Sequence, residues 1–132
     1  MPLSDKNIED ARNVLMRFLS AWSRRAFGTM ASLLQVNPLD EAKFTAMLEP
    51  MLARRHLETV GLDLVVDKAH GEALAHSPFA KVEKEFIAFV DFRVTATISG
   101  KREGMVLRVV YDGKNWRVNH HTMARRFDPK ED

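Results

Sequence analysis

The amino-acid sequence predicts an α+β fold, with N-terminal helices packed on an antiparallel sheet that the second half of the chain forms. Three observations lead to this prediction. Apolar residues recur at helical spacing in the N-terminal part, extended alternating runs follow from about Val82, and Asp112-Gly113 joins two such runs in a hairpin. Helices and strands are therefore segregated along the chain and do not alternate.

The first helix is predicted over about residues 5–27. Ser4 or Asp5 can cap its start, and Gly28 is expected to end it in the left-handed conformation. The apolar residues at spacings of three and four, which mark one buried face, are Ile8, Ala11, Leu15, Phe18, Leu19, Trp22 and Ala26.

Two shorter helices are expected next. Thr29 can cap the second, which Asn37-Pro38 ends. Asp40 can cap the third, and Pro50 should kink or split it. The apolar residues of these two helices are Met30, Leu33, Leu34, Phe44, Met47, Leu48, Met51 and Leu52.

The region between the helices and the hairpin is harder to interpret. In residues 57–80, the alternation of Leu62, Leu64 and Val66 indicates a strand, but a helix that extends through Ala69 stays open. The run up to Ile98 is long for one strand, so a bend or bulge is expected. Pairing Ile98 with Met105 across a polar turn would keep the apolar faces together.

The hairpin at residues 105–120 defines two faces of the predicted sheet. Asp112-Gly113 is a strong turn signal, and period-2 counting then separates the side chains. The apolar face holds Met105, Leu107, Val109, Tyr111, Trp116, Val118 and His120. The opposite face, called the mixed face below, holds Phe89, Asp91, Arg93, Thr95, Thr97, Val106, Arg108, Val110, Arg117, Asn119 and His121.

Length and composition limit the class of protein. At 132 residues, of which 45% are hydrophobic, the chain is predicted to fold as a single domain, residues 1–132. The absence of cysteine excludes disulfide bonds and thiol chemistry, and a net charge of +2 gives no reason to expect a nucleic-acid partner. Because neither a membrane span nor a signal peptide is apparent, we expect a cytoplasmic protein with no membrane partner; no cofactor is predicted.

Two segments of the chain carry a family resemblance. Residues 14–34 include Phe18-Leu19, Ala21-Trp22 and Leu33-Leu34, and the second segment is VLRVVYDGKNWRVNH, with a Gly-Lys-x-Trp-x-Val pattern. They resemble the first two helices and the last two strands of the nuclear transport factor 2-like superfamily. The resemblance implies a cone-shaped α+β roll, in which a curved sheet wraps around the first helix and the open end of the cone is a pocket.

The resemblance does not decide the function, because the superfamily includes isomerases, dehydratases, cyclases, ligand binders and association modules. Our leading hypothesis is a domain that binds a small apolar or amphipathic ligand between the first helix and the sheet. A non-catalytic dimerisation module is an alternative. The predicted ligand-binding residues are Phe18, Trp22, Met30, Phe92, Trp116 and His120.

His120 is the candidate for chemistry. A neutral imidazole near the open strand ends can act as a base, so an isomerase or dehydratase-type enzyme is a further alternative for the function. The other interpretation of His120 is a core histidine whose hydrogen bonds are satisfied by a backbone carbonyl or by water. Steroid-isomerase chemistry is not expected, because Asp91 lies on the mixed face and Tyr111 is not on the first helix. No metal site is expected from the spacing of His70, His76 and His120.

The composition of the mixed face predicts self-association. It combines an apolar centre with arginine and a polar rim, which is typical of non-obligate interfaces. We therefore expect a homodimer with twofold symmetry through this face of the sheet. The alternative is that a terminal segment folds back over the face and leaves a monomer.

Overall fold

The computed structural model describes residues 4–35, 38–70, 88–119 and 126–127. Within these residues, helices pack on an antiparallel sheet, which confirms the predicted α+β class. The helices are α1 (Asp5–Ser23), α2 (Phe27–Leu33) and α3 (Glu41–Met51), preceded by a 3₁₀ turn at Pro38–Asp40. The strands are β1 (Leu57–His70), β2 (Ala88–Ile98), β3 (Lys101–Tyr111), β4 (Trp116–Val118) and β5 (Arg126–Phe127).

Helix α1 begins as predicted but ends earlier. The Ser4 hydroxyl accepts a hydrogen bond from the Asn7 N–H at 3.2 Å, which caps the first turn. The expected stop at Gly28 is wrong, because Gly28 lies inside α2 and Arg25 takes the left-handed conformation instead, with φ 59°. The apolar stripe is buried as predicted at Ala11, Leu15, Phe18, Leu19 and Trp22.

Long-range contacts hold Arg25 in this conformation, which is costly for a residue with a side chain. Its guanidinium donates to the Leu52 carbonyl oxygen at 3.1 Å and lies 3.1 Å from the Nδ1 atom of His56. The same group stacks over the Phe27 ring, 5.1 Å from its centroid. Arg25 therefore connects the α1–α2 turn to the segment between α3 and β1.

The second and third helices also differ from the prediction at their ends. Helix α2 begins at Phe27, before the expected cap at Thr29. Helix α3 follows Asp40 as predicted, but the carboxylate makes no capping hydrogen bond. Pro50 lies in the last turn, so it coincides with the end of α3 rather than splitting it. The expected break at Asn37-Pro38 involves Asn37, which lies outside the described residues.

The sheet has the order β1-β2-β3-β4, and β5 pairs with a different part of β3 from β4. Strand β1 confirms the alternation in residues 57–70, while residues 71–80 lie outside the described part. The expected irregularity occurs in β1 and not in β2, at two register shifts, between Glu58 and Asp63 and between Val66 and Lys68. Gly61 lies in the first of these with φ 75°.

The β2–β3 connection is tighter than predicted. Ile98 pairs with Lys101, so the predicted pairing of Ile98 with Met105 is wrong. The turn residues Ser99 and Gly100 both have positive φ, 51° and 80°, as two-residue hairpin turns require. The register differs from the predicted one by an even number of residues, so Ile98 and Met105 still lie on the same face.

The apolar face of the sheet packs on α1 and forms the main core. Val109 pairs with Val118 and Tyr111 with Trp116, which confirms the predicted register of the second hairpin. Fully buried side chains come from both layers: Leu15, Phe18, Leu19, Met30, Leu34, Val90, Phe92, Val94, Leu107, Val109 and Val118.

The mixed face is more covered than its composition suggested. Phe89, Val106 and Val110 are at most 7% exposed in the single chain, so the premise of an exposed apolar centre is wrong. Asp91 is also buried, and its carboxylate forms a two-point ion pair with Arg108 at 2.8 and 3.2 Å. The Arg108 guanidinium in turn lies 3.9 Å from the centroid of the Phe89 ring.

Candidate functional site

A cleft of about 620 Å³ lies between α1, the C-terminal end of α2 and the turn that joins β3 to β4. This volume is within the range of small-molecule sites. Helix α1 contributes one polar face to the cleft, at spacings of three and four residues. The lining residues are Asn7, Asp10, Asn13, Val14, Arg17, Ser32, Leu33, Tyr111, Lys114, Asn115, Trp116 and Arg117.

Two aromatic side chains form part of the cleft wall. Tyr111 ends β3 and Trp116 begins β4, and the two residues are direct partners across the hairpin. Their ring centroids are 5.2 Å apart with an interplanar angle of 49°. Both side chains are half-buried, and Trp116 also packs against the main core. Each ring is therefore fixed in position and has part of its surface available to a ligand.

The β3–β4 turn is held by Asp112. Its Oδ1 atom accepts hydrogen bonds from the N–H groups of Lys114 and Asn115 at 2.9 and 2.8 Å. Burial by itself raises the pKa of Asp112, but the bonds from Asn115 and Lys114 and the charge of Arg117 outweigh it, so the pKa lies below its ordinary value. The ionised carboxylate thus positions two residues that line the cleft.

Arg117 connects this turn to α2. Its Nη1 atom donates to the Ser32 carbonyl oxygen at 2.9 Å, and its Nε atom lies 3.7 Å from the Asp112 carboxylate. Just beyond the cleft, the Gln35 N–H donates to the Val118 carbonyl oxygen at 2.8 Å. Hydrogen bonds from Arg117 to Ser32 and from Gln35 to Val118 therefore connect β4 to the end of α2 next to the cleft.

Positive charge predominates around the cleft. Arg17, Lys114 and Arg117 supply three cations, and Asp10 supplies a carboxylate. Asp112 is outside the lining and is occupied by the turn N–H groups and Arg117. The arrangement can hold an anion by charge and a ring by stacking.

The predicted ligand-binding residues separate into three groups. Phe18, Trp22, Met30 and Phe92 lie in the core at no more than 2% exposure. Trp116 lines the cleft. His120 lies outside the described residues. Its role as a base therefore stays a prediction.

Sequence reasoning missed the polar part of this cleft. Asn7, Asp10 and Arg17 lie off the apolar stripe of α1, where polar residues are normally solvated. Their spacing of three and then seven residues was the available signal, since it places them on one face of a helix. Nothing local indicated that Lys114, about a hundred positions away, would line the same cleft.

Clusters of metal-ligating side chains and membrane-spanning helices are both absent from the described residues. Within them, no group of three or more histidine, aspartate or glutamate side chains is placed to hold a metal ion. None of the described helices is both long and apolar enough to cross a membrane. His70, one of three histidines considered as ligands, packs against the Phe89 ring at a centroid distance of 5.0 Å.

Comparisons of the chain with protein-family models, with curated proteins and with solved structures found no match.

Proposed function

We propose that this protein is a ligand-binding domain that holds a small amphipathic molecule in the cleft between α1 and the β3–β4 turn. The observation that carries the proposal is the cleft itself, about 620 Å³ in volume and walled by Tyr111 and Trp116. Amides, cations, apolar side chains, the Asp10 carboxylate and Ser32 complete its lining, which suits a ligand with one apolar and one polar part.

The position of the cleft differs from the hypothesis drawn from the sequence. Phe18 and Phe92 fill the space between α1 and the sheet, so that space offers no room for a ligand at these residues. The ligand that we propose therefore lies beside α1, against the hairpin. Trp116 belongs to both the predicted set and the observed cleft.

We also propose membership of the nuclear transport factor 2-like superfamily. Support comes from the element order, with helices α1 and α2 preceding the long antiparallel strands. The pairing of β3 with β4 through the Gly-Lys-x-Trp-x-Val segment supports it as well. The proposed binding function does not depend on this membership, because it is argued from the cleft.

Binding of an uncharged probe tests the proposed function. N-phenyl-1-naphthylamine should bind the full chain saturably, with one probe per chain, as its fluorescence rises in an apolar site. Trp116→Ala removes the aromatic wall, and Val14→Trp fills the cleft from α1, so both variants should weaken binding at least about fivefold, which corresponds to about 1 kcal/mol.

A matched control separates the cleft from general surface stickiness. Met47 on α3 is 50% exposed and outside the cleft, so Met47→Ala should leave probe binding unchanged. Circular dichroism should show that all three variants remain folded. Equal probe affinity in Trp116→Ala, Val14→Trp and the unsubstituted protein would refute the cleft as the binding site.

Self-association is a second proposal, now limited to part of the mixed face. The β1 side of that face is less covered: Val65 is 52% exposed, and Arg93, Thr95 and Thr97 on β2 are half-buried. Val65 pairs with Arg93 across the two strands. We propose that the chain forms a twofold dimer through this strip and not through the covered Val110.

A further inference from the structure

The cations of the cleft differ in how far the protein already uses them. Arg117 is engaged by the Ser32 carbonyl oxygen and the Asp112 carboxylate. Across the described ranges, by contrast, the side chains of Arg17 and Lys114 form no ion pair or hydrogen bond with another residue. These two cations can therefore approach a ligand without first breaking a contact.

The Asp112 carboxylate beside the cleft and the Arg117 guanidinium offset each other's charge. Asp10 lines the cleft. Asp112 lies next to it, but two backbone N–H groups and Arg117 surround its carboxylate. With Arg117 set against Asp112, the cations Arg17 and Lys114 face the single carboxylate of Asp10, so the formal charge of the site is positive and favours an anion over a cation.

The aromatic wall adds a second requirement. Tyr111 and Trp116 present partly exposed ring surface on the same side of the hairpin. A flat ring packs well on such surfaces, and an arginine fork can bind a carboxylate at two points. The chemistry of the site thus combines ring stacking with recognition of a negative group.

We infer that the cleft selects a planar organic anion, an aromatic ring that carries a carboxylate. The ring lies against Trp116 and Tyr111, and the carboxylate lies toward Arg17 and Lys114. The inference rests on the proposed function, because it names the ligand class of the same cleft. The Lys114 N–H donates to the Asp112 carboxylate at 2.9 Å, so the backbone from which this side chain extends is fixed in the turn.

Three probes of nearly equal shape test the selection: 2-naphthoate, the uncharged 2-naphthamide and the cationic 2-naphthylmethylamine. In calorimetric titrations of the full chain, naphthoate should bind about fivefold more tightly than naphthamide, since two partly exposed ion pairs contribute modestly. Naphthylmethylamine should bind most weakly. Raising the ionic strength from about 0.05 to about 0.5 M should weaken naphthoate binding and leave naphthamide binding unchanged.

Substitutions should locate the charge selection. Arg17→Gln and Lys114→Gln each remove one cation, so each should weaken naphthoate binding about twofold and leave naphthamide affinity unchanged. The double variant should bind the two probes equally. Lys43→Gln, an exposed lysine on α3 outside the cleft, is the matched control and should change neither affinity.

The outcomes separate this inference from the proposed function. Equal affinities for naphthoate and naphthamide, or tighter binding of naphthylmethylamine, would overturn the selection while the cleft remained a binding site. No binding of the three probes, with N-phenyl-1-naphthylamine still bound, would also overturn the selection alone. Loss of all four would overturn the proposed function as well.

Discussion

At the residue scale, Trp22 stabilises the fold rather than forming part of a pocket. Its side chain is 2% exposed, and its indole N–H donates to the Arg55 carbonyl oxygen at 2.9 Å. A tryptophan is large enough to reach from α1 to the segment before β1, and the hydrogen bond satisfies the one polar atom that it buries. Trp22 therefore joins the helical layer to the start of the sheet.

Substitution of Trp22 should show both contributions. Trp22→Ala leaves a cavity in the core and should lower the free energy of unfolding by about 3–5 kcal/mol. Trp22→Phe keeps most of the packing but leaves the Arg55 carbonyl without its donor, at a smaller cost of about 1–2 kcal/mol. Denaturant unfolding followed by circular dichroism measures both values, and a cost below about 1 kcal/mol for Trp22→Ala would contradict this role.

At the element scale, periodic patterns predicted the faces of helices and strands but not their ends. The stripe from Ala11 to Trp22 defined the buried side of α1, because each buried position repeats the same spacing. The end of α1 depends on Arg25, whose partners Leu52 and His56 lie far along the chain. No local pattern contains that information, so the glycine rule gave the wrong stop.

The β3–β4 turn gives a prediction at the same scale. The pKa of Asp112 is lowered in the folded protein, so its ionised carboxylate stabilises the fold above its unfolded pKa, about 3.9. This contribution should be lost as the pH falls below that value through the folded pKa. Asp112→Ala should therefore cost about 1 kcal/mol at pH 7, and the difference from the unsubstituted protein should shrink below about pH 4.

Asp112→Asn is the control for this turn, since the amide oxygen can still accept from Lys114 and Asn115 but carries no charge toward Arg117. Asp112→Asn should be more stable than Asp112→Ala at pH 7. Its free energy of unfolding should lack the contribution of the ionised carboxylate, which is lost in acid. Urea unfolding at several pH values gives the comparison. A difference between Asp112→Ala and the unsubstituted protein that stays constant from pH 7 to pH 3 would exclude a stabilising role for the ionised carboxylate.

At the scale of the whole molecule, the class of fold was predictable and the candidate site was not. Segregated helical and extended patterns were enough for the α+β class. The cleft forms where α1, the end of α2 and the β3–β4 turn meet, and its residues are separated by nearly the whole chain. Burial of the mixed face was also unpredictable. An apolar centre with a polar rim is the composition expected both of a face that another part of the same chain covers and of a face that a partner covers.

Self-association is the prediction that belongs to this scale. Strand β1 is at one end of the strand order of the described residues, and Asp63, Asp67 and Lys68 along it disfavour pairing of two copies through that edge. Val65 is instead exposed on the face, beside Arg93. Light scattering at micromolar concentration should give twice the mass of the chain, and Val65→Glu should reduce it to the mass of one chain.

The choice of Val65 decides what the mass measurement means. Val110→Glu would place a charge at a position that is 0% exposed, so it should unfold the chain and could not report on an interface. Met47→Glu introduces the same charge at a similarly exposed position on α3, and it should leave the mass unchanged. A single-chain mass for the unsubstituted protein would rule out the dimer. If Val65→Glu remains dimeric and Met47→Glu becomes a single chain, the interface lies on the helical layer and not on the sheet.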